Sequence, residues 1–126
     1  MKIKKEKIKG IMLSEISAGK YSIANAGDFG TVDVGGCGVA NVGYRGSASV
    51  GKNGIAIAAY KGKVKGGLGS ILVLVRRDEF RKIFDFACAP VDGKTIRADT
   101  FYTLRQGKFV LTVEPKIPAQ ERKEII

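Results

Sequence analysis

Histidine and tryptophan are absent from this chain, and cysteine occurs only twice. Without histidine there is no imidazole to act as general base for a serine or cysteine nucleophile, and zinc loses its usual nitrogen ligand. Cys37 and Cys88 do not stand at CxxC spacing, so a zinc site has almost nothing to be built from, and at most one disulfide can form. No pair of carboxylates has a reason in the sequence to converge. Asp28 and Asp33 fall within one short repeat and read as solvated corner and strand-face residues. No catalytic, metal or cofactor site is therefore expected. Also missing is a run of about 18 apolar residues long enough to span a bilayer. The opening MKIKKEKIKG lacks the apolar centre and small-residue cleavage site of a secretory signal. The expectation is a soluble cytoplasmic protein with free thiols and no membrane contact.

Negative charge is scarce as well. Twelve acidic residues face 22 basic ones in 126 residues, a formal net charge of +10. A chain of this length makes one fold unit, and such an excess favours anionic partners. The surplus is uneven: five lysines against Glu6 in residues 1–10, and nine basic against two acidic residues in 43–82. Residues 11–42 are net acidic, with one lysine against three acids.

What the chain has in abundance is glycine, and 14 of its 17 glycines fall between Gly19 and Gly69. They recur every eight residues: GKYSIANA, GDFGTVDV, GGCGVANV, GYRGSASV, GKNGIAIA, AYKGKVKG and GLGSILVL. The pattern G-x-x-[GS]-x-[AV]-x-[AV] reads as a corner plus a short strand. The first glycine supplies positive φ at the corner, and the fourth, sixth and eighth positions share the inner face. The small residues at positions six and eight suit the narrow interior of a two-sided roll, and an α-helix would show a 3.6-residue stripe and fewer glycines. Alternate eights resemble each other, IANA, VANV, IAIA and ILVL against TVDV, SASV and KVKG, which indicates two strands per coil of about 16 residues. Strands of alternate eights then stack about 4.8 Å apart. The fold class expected is all-β: a short two-sided β-solenoid over 19–75, preceded by a basic segment, 1–18, and closed by β-strands and a hairpin in 76–126.

This stacking gives the two outer faces different chemistry. One carries the apolar ladder Ile23, Val39, Ile55 and Ile71, with Asn25, Asn41, Ile57 and Val73 beside it. A protein contact is expected there, made by the C-terminal segment or a second copy, with Ile23, Val39, Ile55 and Ile57 as interface residues. The other face grades from Thr31 and Asp33 through Ser47 and Ser49 to Lys63 and Lys65. At the corners Asp28, Tyr44 and Tyr60 form one column and Phe29, Arg45 and Lys61 the next. Tyr44, Arg45, Tyr60, Lys61, Lys63 and Lys65 thus make an aromatic and basic ladder of the kind that holds single-stranded nucleic acid or a nucleotide. Arg76, Arg77, Arg81 and Lys82 follow closely in sequence. The competing reading is that corner aromatics shield backbone while lysines supply solubility.

In the C-terminal part, residues 68–75 and 83–91 read as strands separated by the charged turn RRDEFRK. Asp92-Gly93 is a turn, and residues 100–114 form a hairpin about Gln106-Gly107 that covers the end of the stack. Residues 8–17 read as a strand that starts it, and Pro115–Ile126 as a frayed or helical tail.

The ending matches a K-A-x-G-x-L-G-x-x-[IL]-V-L strand through Leu68, Gly69, Val73 and Leu74. It then matches V-D-G-x-x-I-x-x-D-T-[WF]-Y-x-L through Val91, Asp92, Gly93, Ile96, Asp99, Thr100, Phe101, Tyr102 and Leu104. On these residues, and on the preceding eights, the chain resembles a family of uncharacterised proteins encoded by bacteriophages and prophage-carrying bacteria. Phe101 stands where that family often has Trp, and the segment before the eights is shorter than is common in it. The eights are also similar to the heads of trimeric bacterial adhesins, though without a signal or stalk. The resemblance implies no activity, only a phage or mobile-element origin and hence a bacterial host cytoplasm. By analogy, a non-enzymatic interaction protein is expected, binding a host protein or ribonucleoprotein complex such as a CRISPR or other defence system. A nucleic-acid or nucleotide binder and a homo-oligomerising virion protein are the alternatives.

Overall fold

A computed structural model describes residues 2–8 and 11–111, and every regular element among them is a β-strand. The chain begins with β1 (Lys2–Ile8) and β2 (Ile11–Ala18), which pair antiparallel. Seven strands at the repeat spacing follow: β3 (Ile23–Asn25), β4 (Thr31–Val34), β5 (Val39–Asn41), β6 (Ser47–Val50), β7 (Ile55–Ala58), β8 (Lys63–Gly66) and β9 (Ile71–Arg77). The chain closes with β10 (Ile83–Pro90), β11 (Tyr102–Arg105) and β12 (Lys108–Leu111). Two sheets result, one ordered β1-β2-β4-β6-β8-β11-β12 and the other β10-β9-β7-β5-β3.

The register is the expected one. Thr31, Ser47 and Lys63 stand side by side in parallel strands, as do Asp33, Ser49 and Lys65. Ile23, Val39, Ile55 and Ile71 form the matching row of the second sheet. Every step is 16 residues, so the chain is a β-solenoid with two strands per coil. Parallel stacking starts one strand earlier than the eights, because β2 already pairs parallel with β4. β1, a strand that the sequence did not signal, covers β2 on its other side.

Alternation sends positions four, six and eight inward. Ala24, Val32, Ala40, Ala48, Ala56 and Val64 lie buried between the sheets, with Val34, Val50 and Ala58 beside them. Side chains of this size let the two sheets approach without voids. Among the described residues, the buried side chains larger than valine gather at the C-terminal end, where Leu72 and Leu74 join Ile96 and Tyr102 in the core, while Ile16 packs against it partly buried at the other end.

The corners correct one expectation. Positive φ falls on the third residue of each eight, not on the first glycine: Tyr21 at 62°, Phe29 at 61°, Cys37 at 58°, Arg45 at 57°, Asn53 at 59° and Lys61 at 60°, then Gly69 at 84°. From Gly35 onward the first-position glycines answer a different need, close approach between coils, whereas a Cβ on Gly19 or Gly27 would meet nothing within 4 Å. A Cβ on Gly51 would come within 2.7 Å of the Gly36 nitrogen one coil below. At the fourth position, a Cβ on Gly54 would come within 2.8 Å of both the Gly38 carbonyl oxygen and the Val50 side chain. Stacked backbone, rather than turn handedness, therefore keeps these positions free of side chains.

The expected closure is present. β9 runs on past its corner and returns as β10, which extends the second sheet edge-on. The β11–β12 hairpin turns at Gln106 and Gly107, both with positive φ. It pairs with β8 through Tyr102 and Val64, and Thr103 donates a 2.8 Å hydrogen bond to the Gly62 carbonyl. The tail expected from Pro115 onward lies outside the described residues.

Candidate functional site

One long edge of the solenoid is lined by the corners that follow β3, β5 and β7. Position two of those eights places Asp28, Tyr44 and Tyr60 in register, and position three does the same for Phe29, Arg45 and Lys61. Backbone hydrogen bonds fix the stack: Phe29 N–H to the Tyr44 carbonyl at 2.8 Å, and Arg45 N–H to the Tyr60 carbonyl at 3.0 Å. The Asp28 carboxylate accepts the Tyr44 N–H at 3.0 Å.

The rings form a continuous line. Phe29 meets Tyr44 edge-on at 5.7 Å between centroids, and Tyr44 meets Tyr60 at 6.0 Å with the planes tilted 44°. Cations lie against both tyrosines: the Arg45 guanidinium 5.5 Å from the Tyr44 ring, and Lys61 Nζ and the Arg76 guanidinium 5.4 and 5.2 Å from Tyr60. Arg45 Nε also donates to the Tyr44 hydroxyl at 3.2 Å. That hydrogen bond, with the nearby charges of Arg45 and Lys61, holds the Tyr44 phenol below its ordinary pKa.

Arg77 and Arg81 complete the edge. Arg76 and Arg77 follow Tyr60 and Lys61 by sixteen residues, but β9 continues where earlier strands turn, so they lie on its straight end beside the edge and not at a corner. The repeat arithmetic pointed to them, although the eights as a sequence pattern end before they are reached. The Asp78 carboxylate ties the following turn by accepting the Phe80 and Lys82 N–H groups at 2.8 and 3.0 Å. Arg77 Nη1 donates to the Arg81 carbonyl at 2.9 Å. A recess of about 610 Å³ opens here, lined by Asp28, Gly43, Tyr44, Ala59, Tyr60, Arg77 and Arg81. That is within the volume range of small-molecule sites, and its walls carry ring faces and guanidinium groups together.

The six residues singled out from sequence do not form one cluster. Tyr44, Arg45, Tyr60 and Lys61 share the corner edge, whereas Lys63 and Lys65 stand on the outer face of the first sheet. Their ammonium groups lie 4.5 and 4.8 Å from the ring of Phe101. That residue, preceding the capping hairpin, gave no local signal beyond its place in the C-terminal motif.

The four interface residues do form one surface. Ile23, 68% exposed, and Ile55, 39% exposed, share the outer face of the second sheet with Val39 and Ile57. The described C-terminal strands leave this ladder uncovered, because β10 adds to the sheet's edge and the β11–β12 hairpin belongs to the other sheet. In the register of β9 and β10, Pro90, Cys88 and Phe86 continue the face from Ile71, Val73 and Val75. Cys37 and Cys88 are both exposed free thiols, Cys37 at a corner of the opposite edge.

Among the described residues, no three His, Cys, Asp or Glu side chains come together as a metal site. Among the same residues no helix is long and apolar enough to cross a membrane. The fold and the corner thus define a short β-solenoid with an aromatic and cationic edge. Compared with protein-family models, curated proteins and solved structures, the chain matches none.

Proposed function

We propose that this protein is a non-enzymatic interaction protein whose corner edge binds an anionic macromolecular partner. The carrying observation is the recess between Tyr44, Tyr60, Arg77 and Arg81, with Arg45 and Lys61 beside it. Five cations, counting Arg76, border one narrow edge of a chain whose net charge is +10, so an anionic surface is drawn to this edge over tens of ångströms at low salt. The phage-type resemblance of the C-terminal motif supports a host nucleoprotein complex, such as one used in defence, as the partner class.

The test is an electrophoretic and anisotropy assay with nucleic acid at about 50 mM and about 200 mM salt. Binding should weaken steeply with salt, and Arg45→Glu with Lys61→Glu should lower both the affinity and the salt slope. Absence of binding at the lower salt overturns the proposal. A host-lysate pull-down with and without nuclease then separates partners held through nucleic acid from those held directly.

A second reading concerns the uncovered sheet. Its ladder of Ile23, Val39, Ile55, Ile57, Ile71 and Val73 carries no charge in a strongly basic chain, so two copies can meet there without bringing like charges face to face. Self-association through this face predicts a concentration-dependent mass in sedimentation that Ile55→Lys abolishes. A monomer at millimolar concentration overturns it.

A further inference from the structure

The geometry of the corner edge points to a more specific ligand: we infer that it holds a single strand of nucleic acid, about three or four nucleotides long, with bases stacked on Tyr44 and Tyr60 and phosphates on Lys61, Arg77 and Arg81. The inference rests on the anionic-partner reading above and narrows it to one chemistry.

Three features carry it. First, the exposed chemistry is mixed. A purely electrostatic surface for duplex or polyphosphate needs cations alone, whereas this recess is walled by two tyrosine rings as well as by guanidinium groups. A ring face attracts an unpaired base, whose π-surface is hidden inside a duplex. Second, the spacing suits an extended strand. Tyr44 and Tyr60 sit on successive coils with ring centroids 6.0 Å apart, and the Arg76 guanidinium, from the neighbouring strand β9, lies 5.2 Å from the Tyr60 centroid, so the line from Tyr44 to Arg76 runs about 10 Å. At about 3.4 Å per stacked nucleotide that length accommodates three, and Arg81 adds a phosphate contact for a fourth. Third, the ends of the site are defined. Asp28 lies at the Tyr44 end, where its negative charge repels a further phosphate, and it is already engaged with the Tyr44 N–H. The cationic turn with Arg81 marks the other end.

The ring geometry fixes how a base enters. Tyr44 and Tyr60 are 6.0 Å apart and tilted 44°, too close for a base to slide between them, since that needs about 3.5 Å on each side. Bases therefore lie against the solvent side of the line, in the recess, and not as wedges within it. A wall of this kind discriminates poorly among bases, because each offers a similar ring face. Binding should be tolerant of sequence. Arg77 spends one N–H on the Arg81 carbonyl and keeps the remaining guanidinium donors for a phosphate.

The experiment compares fluorescein-labelled (dT)4, (dT)12, a 12-base-pair duplex and heparin, a polyanion without bases, by anisotropy and competition at low salt. The inference expects (dT)12 to bind at least tenfold tighter than the duplex, and (dT)4 to bind within about tenfold of (dT)12. Tyr60→Leu should weaken (dT)12 by roughly tenfold while leaving heparin affinity within twofold, and Tyr60→Phe should retain the wild-type value. The chain contains four tyrosines and no tryptophan, so quenching of tyrosine emission on adding (dT)12 reports the stacking directly. Equal affinity for single strand, duplex and heparin, unchanged by Tyr60→Leu, overturns the inference and leaves the anionic-partner reading standing. No binding to any of the four ligands removes both.

Discussion

Ser70 is the single buried polar side chain among the described residues, and its loss should cost the fold more than any other hydroxyl. It occupies the fourth position of its eight, inside the roll, where Gly30, Gly38, Gly46, Gly54 and Gly62 stand in the five preceding corners. Its Oγ donates a 2.7 Å hydrogen bond to the Gly51 carbonyl and accepts one of 3.1 Å from the Gly54 N–H. In four other corners the fourth residue's N–H closes the turn onto the carbonyl three residues back: Gly30 to Gly27, Gly46 to Gly43, Gly62 to Ala59 and Ser70 to Gly67. In the Gly51–Gly54 corner that bond is replaced by the serine bridge from the next coil, while the Gly51 carbonyl also accepts the Gly67 N–H. Ser70→Ala therefore strands one buried donor and weakens the satisfaction of an acceptor. A stranded buried group costs about 1–3 kcal/mol, so a loss near 2 kcal/mol is expected. For a domain of this size, that lowers the melting temperature by roughly 6–10 °C. The assay is urea denaturation with Ser49→Ala as reference, since Ser49 lies on the outer face and its substitution should stay within about 0.5 kcal/mol. A Ser70→Ala midpoint indistinguishable from that of Ser49→Ala would refute the bridge as a stabilising contact.

Overpacking should be equally plain: Ala48 lies between the sheets, and Ala48→Leu should cost about 1–3 kcal/mol, measured on the same urea curves. Asp92 gives the acid dependence. The N–H groups of Lys94 and Ile96 hydrogen-bond its carboxylate and hold its pKa below the ordinary carboxylate value. A folded pKa below the unfolded one means its contribution is present above about pH 4 and is lost as pH falls through the folded value. Asp92→Asn should therefore lose less stability than the wild type between pH 5 and pH 2, and parallel losses would contradict the assignment. At the corner, Arg45→Gln should raise the pKa of the Tyr44 phenol in an absorbance titration, since the Arg45 hydrogen bond is what chiefly lowers it. An unchanged titration in Arg45→Gln would sever the link drawn between Arg45 and Tyr44.

The sixteen-residue coil was legible because small inward residues and outward rows repeat with a fixed spacing, and nothing in the core needed long-range information beyond that period. The rows Thr31–Ser47–Lys63 and Ile23–Val39–Ile55–Ile71 follow from counting alone. Less legible was anything that departed from the period. β1 escaped notice because KIKKEKI reads as a charged run, and its pairing with β2 depends on a neighbour already in place. Arg76 and Arg77 were in reach of the same counting, but the strand that carries them overruns its corner, and that overrun depends on the partner β10. Lys63 and Lys65 were grouped with the corner tyrosines by sequence proximity. Their side chains project from a strand face around the turn, where Phe101, 36 residues beyond Lys65, comes to lie against them.

The glycines teach the same distinction at atomic scale. From sequence, a glycine at a corner suggests left-handed backbone, yet Arg45 and Lys61 adopt that conformation while the glycines at the first and fourth positions of the eights do not. Non-glycine residues in this region are each strained by about 1–2 kcal/mol, and a fold that accepts this at six successive corners retains a side chain there for some return. On the edge that carries Phe29, Arg45 and Lys61, that return is a column of an aromatic ring and two cations held at the corner apex and projecting outward. Glycine at position three would relax the backbone and remove the column. Lys61→Gly thus separates the two roles: stability should hold or rise while affinity for an anionic ligand falls. If affinity is unchanged, the left-handed corners present nothing, and the strain has to be explained by turn geometry alone.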